Sequence, residues 1–155
     1  MQKAINRIQS FDQVKQIHEA SKAIGYTSIS HDLVFGLPFQ NENSIRTTIE
    51  KTVELKPDRI AYYSYAHVPW IKGVGQRGFD ENDLPKDNEK RFLYELGKQL
   101  FFDNGYVEIG MDHFALPSDT LYKAVVNKTL HRNFMGYTAG KTEFCLLYTS
   151  DAADE

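Results

Sequence analysis

The sequence is poor in cysteine, in long apolar runs and in net charge, and each shortage excludes a class of protein. One cysteine, Cys145, leaves no internal disulfide framework and no cysteine-rich metal site. No apolar run approaches the ~18 residues that span a bilayer, and residues 1–7 lack the apolar core of a signal peptide. A net charge of −3 gives no reason to expect nucleic acid or an anionic membrane as a partner. A cytoplasmic protein is the default expectation.

The remaining composition, 41% hydrophobic and 25% charged, is that of a globular chain long enough for one core. Ser10 and Gln13 form a capping box, which predicts a helix ending at Gly25. Helices are also predicted from Asn43 or Ser44 to residue 55, over 85–105 and near 119–127, and strands over 27–35, 59–66 and 106–111. Spacing predicts that Val14, Ile17 and Ile24 share one face of the first helix, and that Phe92, Leu93, Leu96 and Leu100 face inward from the third.

This alternation of helix and strand predicts parallel strands with right-handed crossovers. Two α/β architectures fit three such strands. One is a small open sheet, which the pattern alone favours, and the other is a slice of a larger (β/α) barrel.

Two short polar runs in the last third of the chain, residues 110–115 and 130–138, have no helical period. They contain Asp112, His113, His131, Arg132 and Asn133 among aromatic and small residues. We expect both runs to be loops at a site. A metal site built from the two histidines and Asp112 is chemically possible, but the spacing does not favour one.

One acidic residue, Asp32, stands inside the apolar strand pattern that ends in the sequence Asp-Leu-Val-Phe-Gly-Leu-Pro over residues 32–38. A carboxylate is costly to bury there unless a donor hydrogen-bonds it. From the residues alone, a solvated or ion-paired Asp32 and a ligand-binding Asp32 are both open.

With these motifs, the chain resembles the oxygen-independent coproporphyrinogen III oxidases, radical S-adenosylmethionine enzymes of haem biosynthesis, from about residue 1 to residue 144. The 32–38 motif is shared with radical-SAM-like haem chaperones, which lack the two polar runs, so the runs favour the enzyme and the chaperone is the alternative. The resemblance implies a slice of a partial (β/α)6 barrel. Residues 1–112 would be its later part with the following helix and strand, 113–144 the start of a C-terminal substrate-side region, and 145–155 a non-native tail.

The resemblance also implies roles for individual residues. Asp32 would accept hydrogen bonds from the ribose hydroxyls of S-adenosylmethionine, and Arg7 would face the carboxylate of its methionine part. Val34 and Ala66 would line the adenine pocket. On the substrate side, His113, His131 and Arg132 would bind propionates, and Phe114, Phe134 and Tyr137 would pack on the macrocycle.

The implied reaction needs a [4Fe–4S] cluster held by three cysteines, which reduces S-adenosylmethionine to generate a radical. That radical takes a hydrogen from a propionate of coproporphyrinogen III, and loss of CO₂ and one electron leaves a vinyl group. Two such steps give protoporphyrinogen IX. With one cysteine, this chain is expected to bind no cluster, and the electron donor stays open. A third possibility is that the isolated chain folds poorly and has no activity.

Overall fold

The computed structural model describes residues 1–68, 78–133 and 136–140. The expected tail at 145–155 and Phe134 lie outside these residues. In chain order the elements are α1 (Phe11–Ile24), β1 (Ser30–Phe35), α2 (Glu42–Leu55), β2 (Arg59–Ser64), a 3₁₀ turn (Glu81–Asp83), α3 (Asp87–Asp103), β3 (Val107–Gly110), β4 (His113–Ala115), α4 (Thr120–Val126), β5 (His131–Asn133) and β6 (Gly136–Thr138).

The first two helices begin at reciprocal side-chain caps. Ser10 Oγ accepts from the Gln13 backbone N–H at 3.2 Å, and Gln13 Oε1 accepts from the Ser10 N–H at 3.0 Å, so the predicted capping box of α1 is confirmed. Gly25 ends α1 in the left-handed region, at φ 105°. The cap predicted for α2 was wrong by two residues or more, because Asn41 and Ser44 form a second reciprocal pair and start the helix earlier.

The main sheet has four strands in the order β1-β2-β4-β3. β1 and β2 are parallel, and β4 is antiparallel to both of its neighbours, so β3 runs in the same direction as β1 and β2. The predicted α/β class with parallel strands is confirmed, and the inserted β4 is an addition to it.

The two polar runs are not loops, so that prediction was wrong. Phe114 and Ala115 are buried, and the backbone of β4 is hydrogen-bonded to β2 on one side and β3 on the other. The second run forms the antiparallel hairpin β5–β6. Strand pairing satisfies backbone groups in β4, β5 and β6, which local sequence alone did not indicate.

Helices α2 and α3 cover one face of the sheet. The strand residues that point toward them are alternate positions on neighbouring strands, and with their helix partners they form the core: Phe35, Ile60, Tyr62, Phe114, Ile45, Ile49, Leu93 and Phe101. A Cβ at Gly97 of α3 would lie 2.5 Å from the Tyr62 ring, so the missing side chain allows this close approach.

Three apolar helix residues are exposed: Ile17 and Ile24, which were predicted to share one face of α1, and Phe92, which was predicted to face inward from α3. The buried stripe of α3 is Leu93, Gly97 and Phe101, four residues apart, and Phe92 falls beside it with 51% exposure. In α1 the buried residue is His18, and Ile17 and Ile24 are 62% and 78% exposed. Within the described ranges, no helix combines the length and apolarity needed to cross a bilayer.

Candidate functional site

The sheet face opposite α2 and α3 is partly open near the carboxyl ends of β1 and β2. Asp32 and Val34 of β1 are exposed on it, Val34 to 36%, and Val34 lies in register with Tyr63 of β2. His113 of β4 is in register with Ala61, which in turn pairs with Asp32. Because paired residues share a face, these side chains lie on one surface, which we call the open face.

Asp32 is unpaired on the open face. Its side chain is exposed and makes no hydrogen bond or ion pair with any residue in the described ranges. The expected cost of burying this carboxylate therefore does not arise, and both oxygens are free to accept hydrogen bonds. Val34 adds apolar surface on the same strand and the same face.

A chain of ring contacts crosses the open face from β2 to the hairpin. The Tyr63 hydroxyl lies 3.4 Å from His113 Nε2, and the two rings meet edge to face at 5.8 Å. The rings of His113 and Tyr137 meet in the same way at 5.3 Å. The Arg132 guanidinium lies 5.8 Å from the Tyr137 ring centroid, a cation–π distance. These contacts bring His113 and Arg132, two of the predicted substrate-side residues, into one cluster.

The third predicted substrate-side residue, His131, does not join this cluster. Arg132 pairs with Tyr137 across the hairpin, whereas the neighbouring His131 pairs with Thr138. Successive residues of a strand point to opposite faces, so His131 points away from the side on which Arg132 and Tyr137 meet.

Acidic neighbours surround the Tyr63 hydroxyl. Burial is the largest cause that raises the pKa of Tyr63, and the carboxylates of Asp32 and Asp112 raise it further. Tyr63 is therefore a protonated phenol at neutral pH and can donate a hydrogen bond. Asp112 is half-buried, and its backbone carbonyl accepts from the Tyr62 N–H at 2.7 Å.

The loop after β1 is held by a buried glutamine. Gln40 Oε1 accepts from the N–H groups of Gly36 and Leu37 at 2.6 and 3.1 Å, and its amide donates to the Val34 carbonyl at 3.3 Å. These bonds fix the chain where β1 leaves the site.

Ala66 is exposed just beyond the end of β2, beside the end of β1. The preceding residue, Tyr65, donates its N–H to the Phe35 carbonyl at 2.7 Å, and its own carbonyl accepts from Lys90 Nζ at 2.7 Å. Ala66 thus lies at the same end of the sheet as Val34.

Arg7 lies in an exposed segment before α1. Its backbone N–H donates to the Gln2 carbonyl at 3.0 Å, and the nearby Ala4 carbonyl accepts from Gly78 N–H at 3.0 Å, which ties this segment to the connection after β2. Within the described ranges, its side chain has no hydrogen bond or ion pair and does not contact Asp32. The contacts therefore do not join Arg7 to the open face.

Metal ligands are scarce in this part of the chain. Among the described residues, no group of three or more histidine, cysteine or acidic side chains is arranged to hold a metal ion. A [4Fe–4S] cluster needs three cysteines, and the sequence has one, Cys145, which lies outside the described residues. The residues of this chain do not fit a cluster.

Sequence analysis missed Tyr63 and Gln40. Tyr63 stands next to the buried Tyr62 in a tyrosine-rich strand, and alternation marks one of the two as outward-facing, but only the register with Val34 shows which ligand-facing residues it joins. Gln40 follows the Gly-Leu-Pro turn, and no local signal distinguishes it from an ordinary loop glutamine.

Comparison with known proteins finds this segment to be similar to part of several larger enzymes. No protein-family model matches the chain. It is 45% identical over 138 residues to an anaerobic coproporphyrinogen III oxidase of Cereibacter sphaeroides, and 41% identical over 138 residues to the oxygen-independent coproporphyrinogen III oxidase of Pseudomonas aeruginosa. Each match covers 89% of this chain and 30% of the relative.

A solved structure gives the same result. The coproporphyrinogen III oxidase of Escherichia coli, described as a radical SAM enzyme, superposes with a TM-score of 0.84 at 38% identity. The chain is homologous to one segment of these oxidases. It spans 32% of the Escherichia coli chain, and 90% of its own length is covered. The predicted resemblance is therefore confirmed, and the α/β fold agrees with a slice of the radical SAM enzyme.

Proposed function

We propose that this chain is a segment of an oxygen-independent coproporphyrinogen III oxidase, and that it supplies one wall of the cofactor site and part of the substrate site. The parent would oxidatively decarboxylate two propionates of coproporphyrinogen III to give protoporphyrinogen IX, in the cytoplasm. One observation carries this proposal: Asp32, Val34, Tyr63 and His113 share the open face, and ring contacts continue from it to Arg132.

On the cofactor side, Asp32 and Val34 fit S-adenosylmethionine. The free Asp32 carboxylate would accept from the two ribose hydroxyls, and the exposed Val34, with Ala66 at the same end of the sheet, would contact the adenine. Arg7 is proposed for the methionine carboxylate on the basis of the family motif and its exposed, unpaired side chain. When bound, this cofactor supplies the radical chemistry. Its cluster would be held by cysteines that are not in this chain.

On the substrate side, Arg132 is suited to a propionate, because a guanidinium donates two parallel hydrogen bonds to a carboxylate. Its position over the Tyr137 ring leaves the fork of donors exposed. His113 lies deeper in the same cluster. His131 is proposed only for the outer side of the hairpin, since it faces away from Tyr137.

The haem chaperone is the less favoured alternative. It shares the Asp32 motif but lacks the two polar runs, and in this fold those runs build β4 and the β5–β6 hairpin around His113 and Arg132. The relatives cited above are named oxidases.

The proposed division between residues 1–112 and 113–144 falls in the turn between β3 and β4.

A grafted enzyme tests this function. The matched 138-residue segment of the Cereibacter sphaeroides oxidase is replaced by that of this chain, and this protein is called the grafted oxidase. We expect it to convert coproporphyrinogen III anaerobically. In it, Asp32→Ala should weaken S-adenosylmethionine binding by roughly 1.5–3 kcal/mol, the value of a hydrogen bond to a charged group.

Arg132→Ala in the grafted oxidase is the matched variant. It should leave cofactor binding and cleavage intact and impair propionate decarboxylation, which separate assays of deoxyadenosine and vinyl product would show. Loss of cofactor binding in Arg132→Ala, with normal binding in Asp32→Ala, would reverse the two assignments. If the grafted oxidase and all of its variants failed to convert coproporphyrinogen III, that result would count against the proposed function.

A further inference from the structure

The imidazole of His113 is held on several sides. Its Nδ1 lies 2.8 Å from the Met111 carbonyl, and the rings of Tyr63 and Tyr137 meet it edge-on at interplanar angles of 82° and 78°. A carbonyl oxygen only accepts hydrogen bonds, so Nδ1 must carry the hydrogen. In the neutral ring, Nε2 is then the acceptor nitrogen.

The turn between β3 and β4 positions the Met111 carbonyl, and its backbone is strained. Met111 and Asp112, the two residues between β3 and β4, have φ values of 36° and 65°, a conformation that non-glycine residues rarely adopt. The turn is kept in place because the Asp112 carbonyl accepts from the Tyr62 N–H at 2.7 Å. Positive φ at both central residues is typical of tight hairpin turns, but Asn and Gly are the residues usually found there. The turn therefore accepts backbone strain while it directs a carbonyl at His113.

The missing side chain of Gly110 allows Tyr137 to approach. A Cβ on Gly110, whose φ is 143°, would lie 2.8 Å from the Tyr137 hydroxyl, and one on Gly136 would lie 3.9 Å from His113 Nε2. The space beside Nε2 is thus bounded by backbone and by tyrosine rings.

The only hydrogen-bond partner of Nε2 in the described ranges is the Tyr63 hydroxyl, at 3.4 Å. This distance is beyond the usual 2.5–3.0 Å of an O–H donor, so the contact is weak and a better donor could displace it. We propose that His113 Nε2 accepts a hydrogen bond from a pyrrole N–H of the bound tetrapyrrole, while Arg132 binds a propionate. This inference rests on the proposed function. The sequence grouped His113 with the propionate-binding residues, and the geometry assigns it the opposite hydrogen-bond polarity.

The tautomer of His113 can be measured without any ligand. Long-range ¹H–¹⁵N correlation on the ¹⁵N-histidine-labelled chain at pH 8 should show the Nδ1–H form for at least one of its five histidines, His113. His113→Gln assigns that signal by removing it. His131 is the matched control, because it is exposed and makes no hydrogen bond with a described residue, so its signal should be that of an averaged, solvated ring. An Nε2–H or averaged signal from His113, in the free chain or in the grafted oxidase, would overturn the proposal.

Binding of coproporphyrinogen III to the grafted oxidase tests the acceptor role. In His113→Asn, the amide can keep the bond to the Met111 carbonyl but leaves nothing at Nε2, and we expect the Kd to rise about tenfold. In His113→Gln, the longer side chain reaches the Nε2 position, and the Kd should rise about threefold or less. Unchanged binding in both variants, or loss in Gln with retention in Asn, would contradict the proposal.

Tyr63→Phe separates the acceptor role from simple positioning. It removes the competing hydroxyl but keeps the ring, so the His113 tautomer should be unchanged and the Kd for coproporphyrinogen III should be equal or lower. Weaker binding with an altered tautomer would mean that Tyr63 holds the imidazole, against the proposal. Should the grafted oxidase bind no coproporphyrinogen III, the proposed function fails, while the tautomer measurement still decides how His113 is held.

Discussion

Polar side chains at the two ends of the parallel strands differ in whether the protein itself hydrogen-bonds them. At the amino ends, the Asp119 side chain is 1% exposed and accepts hydrogen bonds from Ser28 Oγ, Arg59 Nε and the Leu121 N–H at 2.7, 2.9 and 2.7 Å. One carboxylate thus joins the chain before β1, the start of β2 and the start of α4. Its lone pairs are occupied by the protein itself.

At the carboxyl ends, Lys90 Nζ donates to the Tyr65 carbonyl, but the Asp32 and Arg132 side chains are not occupied by the protein in this way. Within the described ranges, the Asp32 carboxylate has no hydrogen bond, and the Arg132 guanidinium lies over the Tyr137 ring. In parallel α/β barrels, ligands meet the carboxyl ends of the strands, and the amino ends serve stability. The contrast within this chain follows that division, so substitutions at the two ends should affect different measurements.

The largest expected effect is at Asp119. Asp119→Ala leaves Ser28 and Arg59 without their acceptor and removes the cap of α4, and we expect the free energy of unfolding to fall by about 3 kcal/mol. Urea denaturation of the chain measures this. Asp119→Asn, which keeps one acceptor oxygen, should lose less.

Asp32→Ala is the matched control for Asp119→Ala. An exposed carboxylate without a partner contributes little to stability, so the unfolding free energy should change by no more than about 0.5 kcal/mol. Equal losses in the two variants would remove the distinction between the ends of the sheet.

Helix α1 was easier to predict from the sequence than strand β4. Ser10, Gln13 and Gly25 define α1 through local hydrogen bonds, which a sequence pattern records directly. β4 could not be predicted in this way, because a three-residue strand that begins with His113 exists only through its pairing with β2 and β3. The turn before it also lacks the Asn or Gly that signals a hairpin.

The site was predictable to a similar, partial extent. Asp32 and Val34 are two residues apart in a strand, so a shared face follows from the period of two. That this face is the open one, and that it continues through Tyr63 to His113, depends on the strand order and register. His131 does not share a face with Arg132, because adjacent residues in a strand face apart, and its substrate role stays a prediction.

The next prediction concerns the close approach of Tyr137 to Gly110 near the carboxyl ends of the strands. Gly110→Ala would force a left-handed-region φ on a side chain and bring its Cβ to 2.8 Å from the Tyr137 hydroxyl. We expect a loss of about 2 kcal/mol in unfolding free energy, because this backbone region is almost confined to glycine. Adding Tyr137→Phe should recover part of the loss by removing the oxygen.

Gly105→Ala is the control for backbone strain alone. Gly105 also has a positive φ, of 82°, but a Cβ there has no neighbour within 4 Å. Its loss should be about 1 kcal/mol and should not respond to Tyr137→Phe. If both glycine variants lost the same stability, and neither responded to Tyr137→Phe, the close approach of Tyr137 would contribute nothing.

The smallest expected effect is a pH dependence of stability. It compares the two faces of β1 at the neighbouring positions 31 and 32. On the covered face, His31 Nε2 lies 3.1 Å from Nδ1 of the buried His18, so one nitrogen donates and the other accepts. Among the described residues, His18 Nε2 is buried and has no hydrogen-bond partner at ordinary geometry. Burial is the largest cause that lowers the pKa of each ring, and a positive charge on one ring opposes a charge on the other. The other charged groups that act on the pair are Lys22, which lowers both pKa values, and Asp58, Glu19 and Asp32, which oppose this.

Both folded-state pKa values lie below the ordinary 6.5 of the unfolded chain. The unfolded state therefore binds more protons as the pH falls below 6.5, and the stability that is present above this pH is lost toward the folded pKa values. The slope can reach about 1.4 kcal/mol per pH unit for each proton. Urea midpoints between about pH 7.5 and 5 would measure it. His31→Gln should flatten the profile. Asp32→Asn, which removes a carboxylate that raises the His31 pKa, should not flatten it. A chain that grew more stable as the pH fell from 7 to 5.5 would show that the buried pair is not held neutral.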